Sequence, residues 1–155
     1  MTGQGDKDEI DHEGVAAAVD GLLHTDTQVH DDGVDLTARQ VYVVDDPGRV
    51  DFGGSELAPA TTTPHGTRRR NPGEDHGWWH LDAGQYLIEY NESLSGDEEV
   101  LLQARRAVLE RGASHPTRVV ASLPRMPLSV GGDGVRLKEN ARVSTLRADT
   151  TRLKR

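Results

Sequence analysis

Between residues 34 and 44 the chain alternates, with Val34, Leu36, Ala38, Tyr42 and Val44 on one side and only Gln40 interrupting that set. Alternation of this kind marks a strand with one buried face, so VDLTARQVYVV predicts a half-buried strand. Asp-Asp-Pro-Gly at 45–48 predicts a turn, and RVDF resumes extended chain. The stretch 78–94, WWHLDAGQYLIEYNESL, predicts two strands around a turn at Asp82-Ala83-Gly84. TRVVASL and MPLSV predict short strands, which Pro124 and Pro127 confine to edges or bulges. GGDG at 131–134, between PLSV and VRL, predicts a hairpin turn, and ENARVSTLR a turn with a last strand.

Helical spacing is rarer. GVAAAVDGLL (14–23) predicts a short helix, favoured by Ala16 to Ala18 and weakened by Gly21. Leu101, Ala104 and Val108 predict a second one over 103–111, with Gly112 as its stop. From Ala58 to Gly77 three prolines, three glycines and the run Arg68-Arg69-Arg70 replace any apolar period, which predicts a long loop. Short strands, frequent turns and one or two short helices describe an all-β domain over 14–147. An acidic, disordered N-terminus is expected at 1–13 and a loose basic tail at 148–155.

Composition narrows the setting. Leu, Ile, Val and Phe total 33 of 155 residues, a thin supply of core, so burial against further copies of the chain is expected. The net charge is −8, and 15 of the 18 basic residues are arginine. Such a surface suits either a very salty cytoplasm, where carboxylates hold water and salt screens their repulsion, or an ordinary acidic protein. It argues against general nucleic-acid binding. No cysteine is present, which excludes disulfides, a thiol nucleophile and a cysteine-based zinc site. No secretory signal and no apolar run near ~18 residues occur, so a cytoplasmic protein without a membrane span is expected.

Several groups carry candidate chemistry. ARRAVLERGASHPT (104–117) reads either as a short helix with a solvated basic face or as a cradle for polyphosphate. His115 within it suits contact with a base or phosphate, or a cap on the turn before Pro116. The triple arginine suits phosphate, a neighbouring subunit's acidic face, or plain solvent. His76 and His80, with Asp75 and His65 nearby, suggest a metal site, but no cysteine accompanies them and no helix carries the i,i+4 pair, so loop histidines without a metal are expected. Trp78-Trp79 suits core or subunit-interface packing, or stacking on a base.

In order along the chain, four stretches resemble the superfamily of dCTP deaminases and trimeric dUTPases. GVDLTARQVY (33–42) is similar to the early S-V-D-L-R-L-G strand. LDAGQYLIEYNESL (81–94) looks like L-x-P-G-E-F-x-L-x-x-T-x-E. RRAVLERGASHPT stands where the family has R-S-S-L-A-R-x-G followed by histidine and threonine. LSVGGDGVRLKENARVSTL resembles the terminal N…L-x-L-x-x-G-x-R-I-x-Q-L hairpin. The likeness covers about residues 20 to 147. It implies a distorted jelly-roll β-barrel, a homotrimer with sites between subunits, and a deoxypyrimidine triphosphate as substrate with Mg²⁺ on its phosphates. By the same resemblance Arg105, Arg106, Arg111, Gly112, Ser114 and His115 are the expected substrate-binding residues.

The chain departs from the family where chemistry is done. Headed by Arg105, the motif has Arg106 and Ala107 for its two serines; headed by Arg106, it has Ala107 and Val108. Either way two hydroxyls are gone, at ~1 kcal/mol or more per hydrogen bond, unless Arg106 or Ser114 substitutes. The deaminases' proton-shuttling glutamate falls at about Leu128, and 117–125, where dUTPases keep a water-orienting aspartate, holds no acid. Glu110, Glu56 and Asp35 remain as catalytic candidates, and a non-catalytic relative of the same fold is the alternative.

Overall fold

The computed structural model describes residues 12–148. The expectations for the two termini lie outside these residues, except that His12 and Glu13 already belong to the first helix. In chain order the elements are α1 (His12–Ala18), β1 (Val19–Asp20), α2 (Thr25–Gln28), β2 (Val29–His30), β3 (Gly33–Asp46), β4 (Thr61–Pro64), β5 (Trp78–Leu81), β6 (Gly84–Tyr90), β7 (Ser93–Leu94), β8 (Val100–Ala104), α3 (Arg106–Leu109), β9 (Ala113–Ser114), β10 (Arg118–Val120), β11 (Met126–Val130), β12 (Val135–Lys138) and β13 (Arg142–Ala148). The result is an all-β fold, a curled antiparallel half-barrel with three short helices among the described residues rather than one or two.

Nine strands share the main sheet. Its path is β10-β8-β13-β3-β6-β11-β9, with β2 and β4 also on β3. The first half of β3 pairs with β13 and the second half with β6, so one long strand carries both flanks of the curl. The register shifts between Ala38 and Gln40. A bulge inserts one residue and moves the buried set to the other parity. Val34, Leu36 and Ala38 face the core, but beyond the bulge Val41 takes over and Val43 packs against it. Tyr42 and Val44, expected on the Val34 face, therefore do not continue it. Tyr42 meets Glu89 and the Arg125 guanidinium instead.

Two other expectations are corrected by pairing, and the two strands expected around Asp82-Ala83-Gly84 are present. Residues 131–134, GGDG, do form a turn, with Gly134 N–H donating to Gly131 O at 3.0 Å. It is not a hairpin, however: β11 pairs with β6 and β9, whereas β12 pairs with β5. Likewise β5 and β6 flank Asp82-Ala83 without pairing to each other. Both turns are corners at which the chain leaves the main sheet for the β5–β12 ribbon. Gly134 makes the corner possible. Its φ is +78°, and a Cβ there would sit 2.6 Å from Leu81 O. At the N-terminal end, α1 stops at Ala18 and Val19–Asp20 pair with β7, so the predicted helix over 14–23 covers only half its span.

The loop between Ala58 and Gly77 contains one short strand, β4, and is otherwise irregular. RVDF is not extended beyond a single bridge between Arg49 and Ala58. Asp51 Oδ2 accepts the Gly54 and Glu56 N–H groups and tightens this loop, leaving Val50 and Phe52 exposed. The core lies inside the curl. It is built from Leu36, Ile88, Leu102, Met126, Leu128 and Leu146, among others, with Trp79 closing one end.

Candidate functional site

The motif region is mostly strand. Leu101 and Ala104, expected on a helix with Val108, lie on β8, which runs between β10 and β13. Cross-strand pairing there outcompetes one turn of helical spacing. The ladder ends where Arg105 N–H donates to Val143 O, and α3 makes a single turn, with Leu109 N–H donating to Arg105 O. Gly112, at φ +103°, releases the chain into β9.

A cleft of about 510 Å³ opens beside this turn. Ala107 and Arg111 of the α3 segment form one wall, and Asp133, Gly134, Arg136 and Arg142 lie opposite. Arg111 donates to Ala107 O at 3.1 Å and lies 3.9 Å from Glu110, with most of its side chain in water. Arg136 is exposed and has no side-chain hydrogen bond or ion pair among the described residues. Three arginines and one aspartate thus line a volume typical of small-molecule sites, although Arg142 Nη1 donates to Asp35 and to Thr27 O.

Arg142 and Arg105 are held from behind by Asp35. This aspartate is almost fully buried, 3.0 Å from Arg142 Nη1 and 3.5 Å from Arg105 Nε. It also accepts from Thr145 at 2.8 Å and lies 2.9 Å from His30 Nε2. With its oxygens engaged by four side chains, Asp35 positions arginines. It is not among the residues that line the cleft.

The remaining candidates scatter. Arg106 is exposed and lines neither the cleft nor its neighbours. Gly112 and Ser114 line a separate shallow cleft of about 350 Å³ with Leu109 and Val130. Glu110 faces solvent and Arg111, and Glu56 sits on the exposed 47–60 loop. Leu128 is fully buried on β11 opposite Tyr86, so the glutamate expected there has no counterpart reaching the surface.

His115 is an interior residue. Its Nδ1 lies 2.9 Å from Pro116 O, which requires an N–H there, so Nε2 accepts from Ser144 Oγ at 2.7 Å. Tyr90 then donates to Ser144 at 2.6 Å. Burial lowers the His115 pKa below the ordinary 6.5, and burial pushes the Tyr90 hydroxyl well above the usual phenol range. The network pins β13 to β6 and to the chain after β9, and the histidine lines none of the three clefts described here.

The other constellations also resolve. Trp79 is core, while Trp78 is half-buried with Arg70 4.8 Å and Lys138 5.6 Å from its ring. Arg70 is further engaged by Glu74 at 3.1 Å, which leaves Arg68 as the member of the triple arginine that lines a cleft. His65, Asp75, His76 and His80 do not converge: no group of three His, Cys, Asp or Glu suited to a metal ion occurs among the described residues. No helix is long and apolar enough to cross a membrane among the described residues. Sequence reasoning missed Asp133, Arg136 and Arg142. Their signal was two arginines flanking a turn in VRLKENAR, hidden because GGDG was taken for a hairpin.

No family model matches the chain. It is 28% identical over 137 residues to a probable deoxyuridine 5'-triphosphate nucleotidohydrolase of Methanococcoides burtonii, covering 83% of this chain and 76% of that one. A protein of the same description from Methanosarcina mazei is 27% identical over 135 residues, covering 83% and 75%. Among solved structures, the 2'-deoxycytidine 5'-triphosphate deaminase of Agrobacterium tumefaciens superposes with a TM-score of 0.56 at 11% identity, over 90% of this chain. The chain spans 47% of that structure's length, and the likeness is one of fold.

Proposed function

Since the chain is a divergent member of the superfamily of dCTP deaminases and dUTPases, we propose that it acts on a deoxypyrimidine triphosphate whose anionic tail lies in the Arg111–Arg136–Arg142 cleft. The observation that carries this reading is that Arg111, Arg136 and Arg142 all line one cleft beside the α3 turn. Guanidinium forks bind phosphate through paired, charge-assisted hydrogen bonds.

For dUTP, water adds to the α-phosphorus, the bond to the α–β bridging oxygen breaks, and dUMP and pyrophosphate leave. A base must take the water's proton, and Asp133 is the carboxylate that lines the cleft. In dCTP deamination the same carboxylate would shuttle protons at C4 while ammonia leaves. Bound Mg²⁺ would offset phosphate charge. With no three-ligand group among the described residues, it would be carried mainly on the phosphates. We further propose that the working form is a homo-oligomer, as the thin core suggests, and a trimer by the superfamily resemblance, in a salt-rich cytoplasm, as the acidic, lysine-poor composition suggests.

Purified protein incubated in high salt with Mg²⁺ and dUTP or dCTP tests this. Release of pyrophosphate or ammonia, lost in Asp133→Asn, is the expected result. The absence of both turnover and nucleotide binding would end the reading. Binding without turnover would establish the second reading, a nucleotide-binding relative without catalysis, which the buried Leu128 favours.

A further inference from the structure

Asp35 holds Arg105 and Arg142 from behind, and its two oxygens are divided between two sets of partners. Oδ2 faces Arg142 Nη1 at 3.0 Å and Arg105 Nε at 3.5 Å. Oδ1 accepts from Thr145 Oγ1 at 2.8 Å and lies 2.9 Å from His30 Nε2. A carboxylate rotates about a broad, roughly two-fold torsion. How Oδ2 meets the arginines therefore depends on what fixes Oδ1.

His30 reaches that oxygen from a tight turn. It ends β2, opposite Gly33 at the start of β3. Gly33 has a φ of +146°, and a Cβ on it would collide with Leu146 O, so the turn lies close against β13. Arg147 Nη1, from the same strand, donates to Asp32 O at 3.2 Å and ties the turn down. Within the turn, Asp32 N–H donates to His30 Nδ1 at 3.3 Å. An accepting Nδ1 leaves the ring hydrogen on Nε2, which therefore donates to Asp35. The ring is thus engaged at both nitrogens, although over a third of its side chain is in water. It lines none of the clefts described above and lies outside all four motif stretches.

We propose that His30 is a positioning residue. By donating from Nε2 to Asp35 Oδ1 it reserves Oδ2 for the arginines, and so sets the Arg142 guanidinium at the wall of the main cleft. Thr27 O, which accepts from the same Arg142 Nη1 at 3.3 Å, is a second contact from this part of the chain. The β2 turn therefore steers a cleft residue from a distant stretch of sequence without touching a ligand. That the steered arginine meets a nucleotide rests on the function proposed above; the steering itself does not.

Two substitutions separate this role from a purely local one. His30→Gln carries an amide nitrogen as far along the side chain as Nε2 and keeps the donor to Asp35. His30→Asn reaches only as far as Nδ1, so it keeps an acceptor for Asp32 N–H and loses that donor. Rotation of the Arg142 guanidinium about its Nε–Cζ bond, followed by NMR exchange on the whole chain, reads how firmly the arginine is held. It should be about three- to tenfold faster in His30→Asn, the range for one hydrogen bond, and close to the parent's rate in His30→Gln. Affinity for a non-hydrolysable dUTP analogue, by calorimetry, should fall by about the same factor in His30→Asn and be rescued in His30→Gln. Equal rotation in all three proteins would overturn the proposal. So would the opposite order, in which His30 only closes its own turn, and so would equal loss in both variants, in which donation to Asp35 is not what matters. If the parent bound no analogue, the nucleotide reading would fail and the rotation rates would still decide the role of His30. Faster rotation with unchanged affinity would keep His30 as the residue that positions Arg142 and take Arg142 out of nucleotide binding.

Discussion

Asp35 Oδ2 lies 3.0 Å from Arg142 Nη1, joining a buried carboxylate on β3 to a guanidinium that lines the main cleft. The pair explains why an acid inside the fold is tolerated: it is paired and hydrogen-bonded, as a buried charge must be. Arg142 keeps over a third of its side chain in water, so the pair is a boundary feature with one end in the core.

Removing that acid should cost stability rather than chemistry. Asp35→Ala leaves two arginines and Thr145 without their partner and is expected to destabilise the fold by about 2–3 kcal/mol, below the ~3–5 kcal/mol of a fully buried pair because the arginines remain hydrated. Urea denaturation measures it. A variant of unchanged stability with abolished turnover would make Asp35 the catalytic base after all.

Arg111 and Arg106 separate the cleft from the motif. Arg111→Gln should weaken nucleotide binding by about 10- to 100-fold, the range for losing a charge-assisted hydrogen bond. Arg106→Gln, one turn away and lining neither arginine cleft, should change it less than threefold. Calorimetry with a non-hydrolysable dUTP analogue compares them. The reverse order would move the phosphates to the start of α3.

Restoring an acid at position 128 should not restore activity. Leu128 is fully buried between β6 and its own core neighbours, so Leu128→Glu buries an unpaired carboxyl and is expected to cost roughly 3 kcal/mol or more. Thermal unfolding reads the loss. A stable, newly active variant would mean that β11 can present this position to a ligand.

His115 makes stability depend on pH. Its folded pKa is depressed by burial, so below pH 6.5 the unfolded chain takes up a proton that the folded chain refuses. Its contribution is therefore fully present above that pH and is lost as pH falls towards the depressed folded value. The slope of unfolding free energy below pH 6.5 should be shallower in His115→Gln than in the parent. Identical slopes would place the titration elsewhere.

Gly134 should resist side chains. Gly134→Ala combines a positive φ with a Cβ 2.6 Å from Leu81 O, at a corner that lines the main cleft. A loss of more than ~1 kcal/mol is expected. Ligand binding at that cleft should weaken with it, as calorimetry on the folded fraction would report.

Local signals in the chain were enough for much of the architecture. Alternation in VDLTARQVYVV announced β3, the turn residues around 82–84 and 131–134 announced breaks, and the scarcity of helical spacing announced an all-β class. These follow from neighbours within a few residues, which the chain carries explicitly. The four ordered motifs, including GVDLTARQVY and RRAVLERGASHPT, likewise pointed to the superfamily.

What needed the tertiary structure was every decision taken between distant segments. The bulge at 38–40 moved burial from Tyr42 to Val41 because β3 changes partners there. Pairing with β13 held Leu101 and Ala104 in a strand despite their helical spacing. Asp35, a candidate base by chemistry, became a scaffold for Arg105 and Arg142 only through contacts about 70 and 107 residues away. Arg136 and Asp133 reached the cleft because two turns proved to be corners between sheets and not hairpins. Strand pairing is non-local, and a sequence records the preferences of each strand without naming its partner.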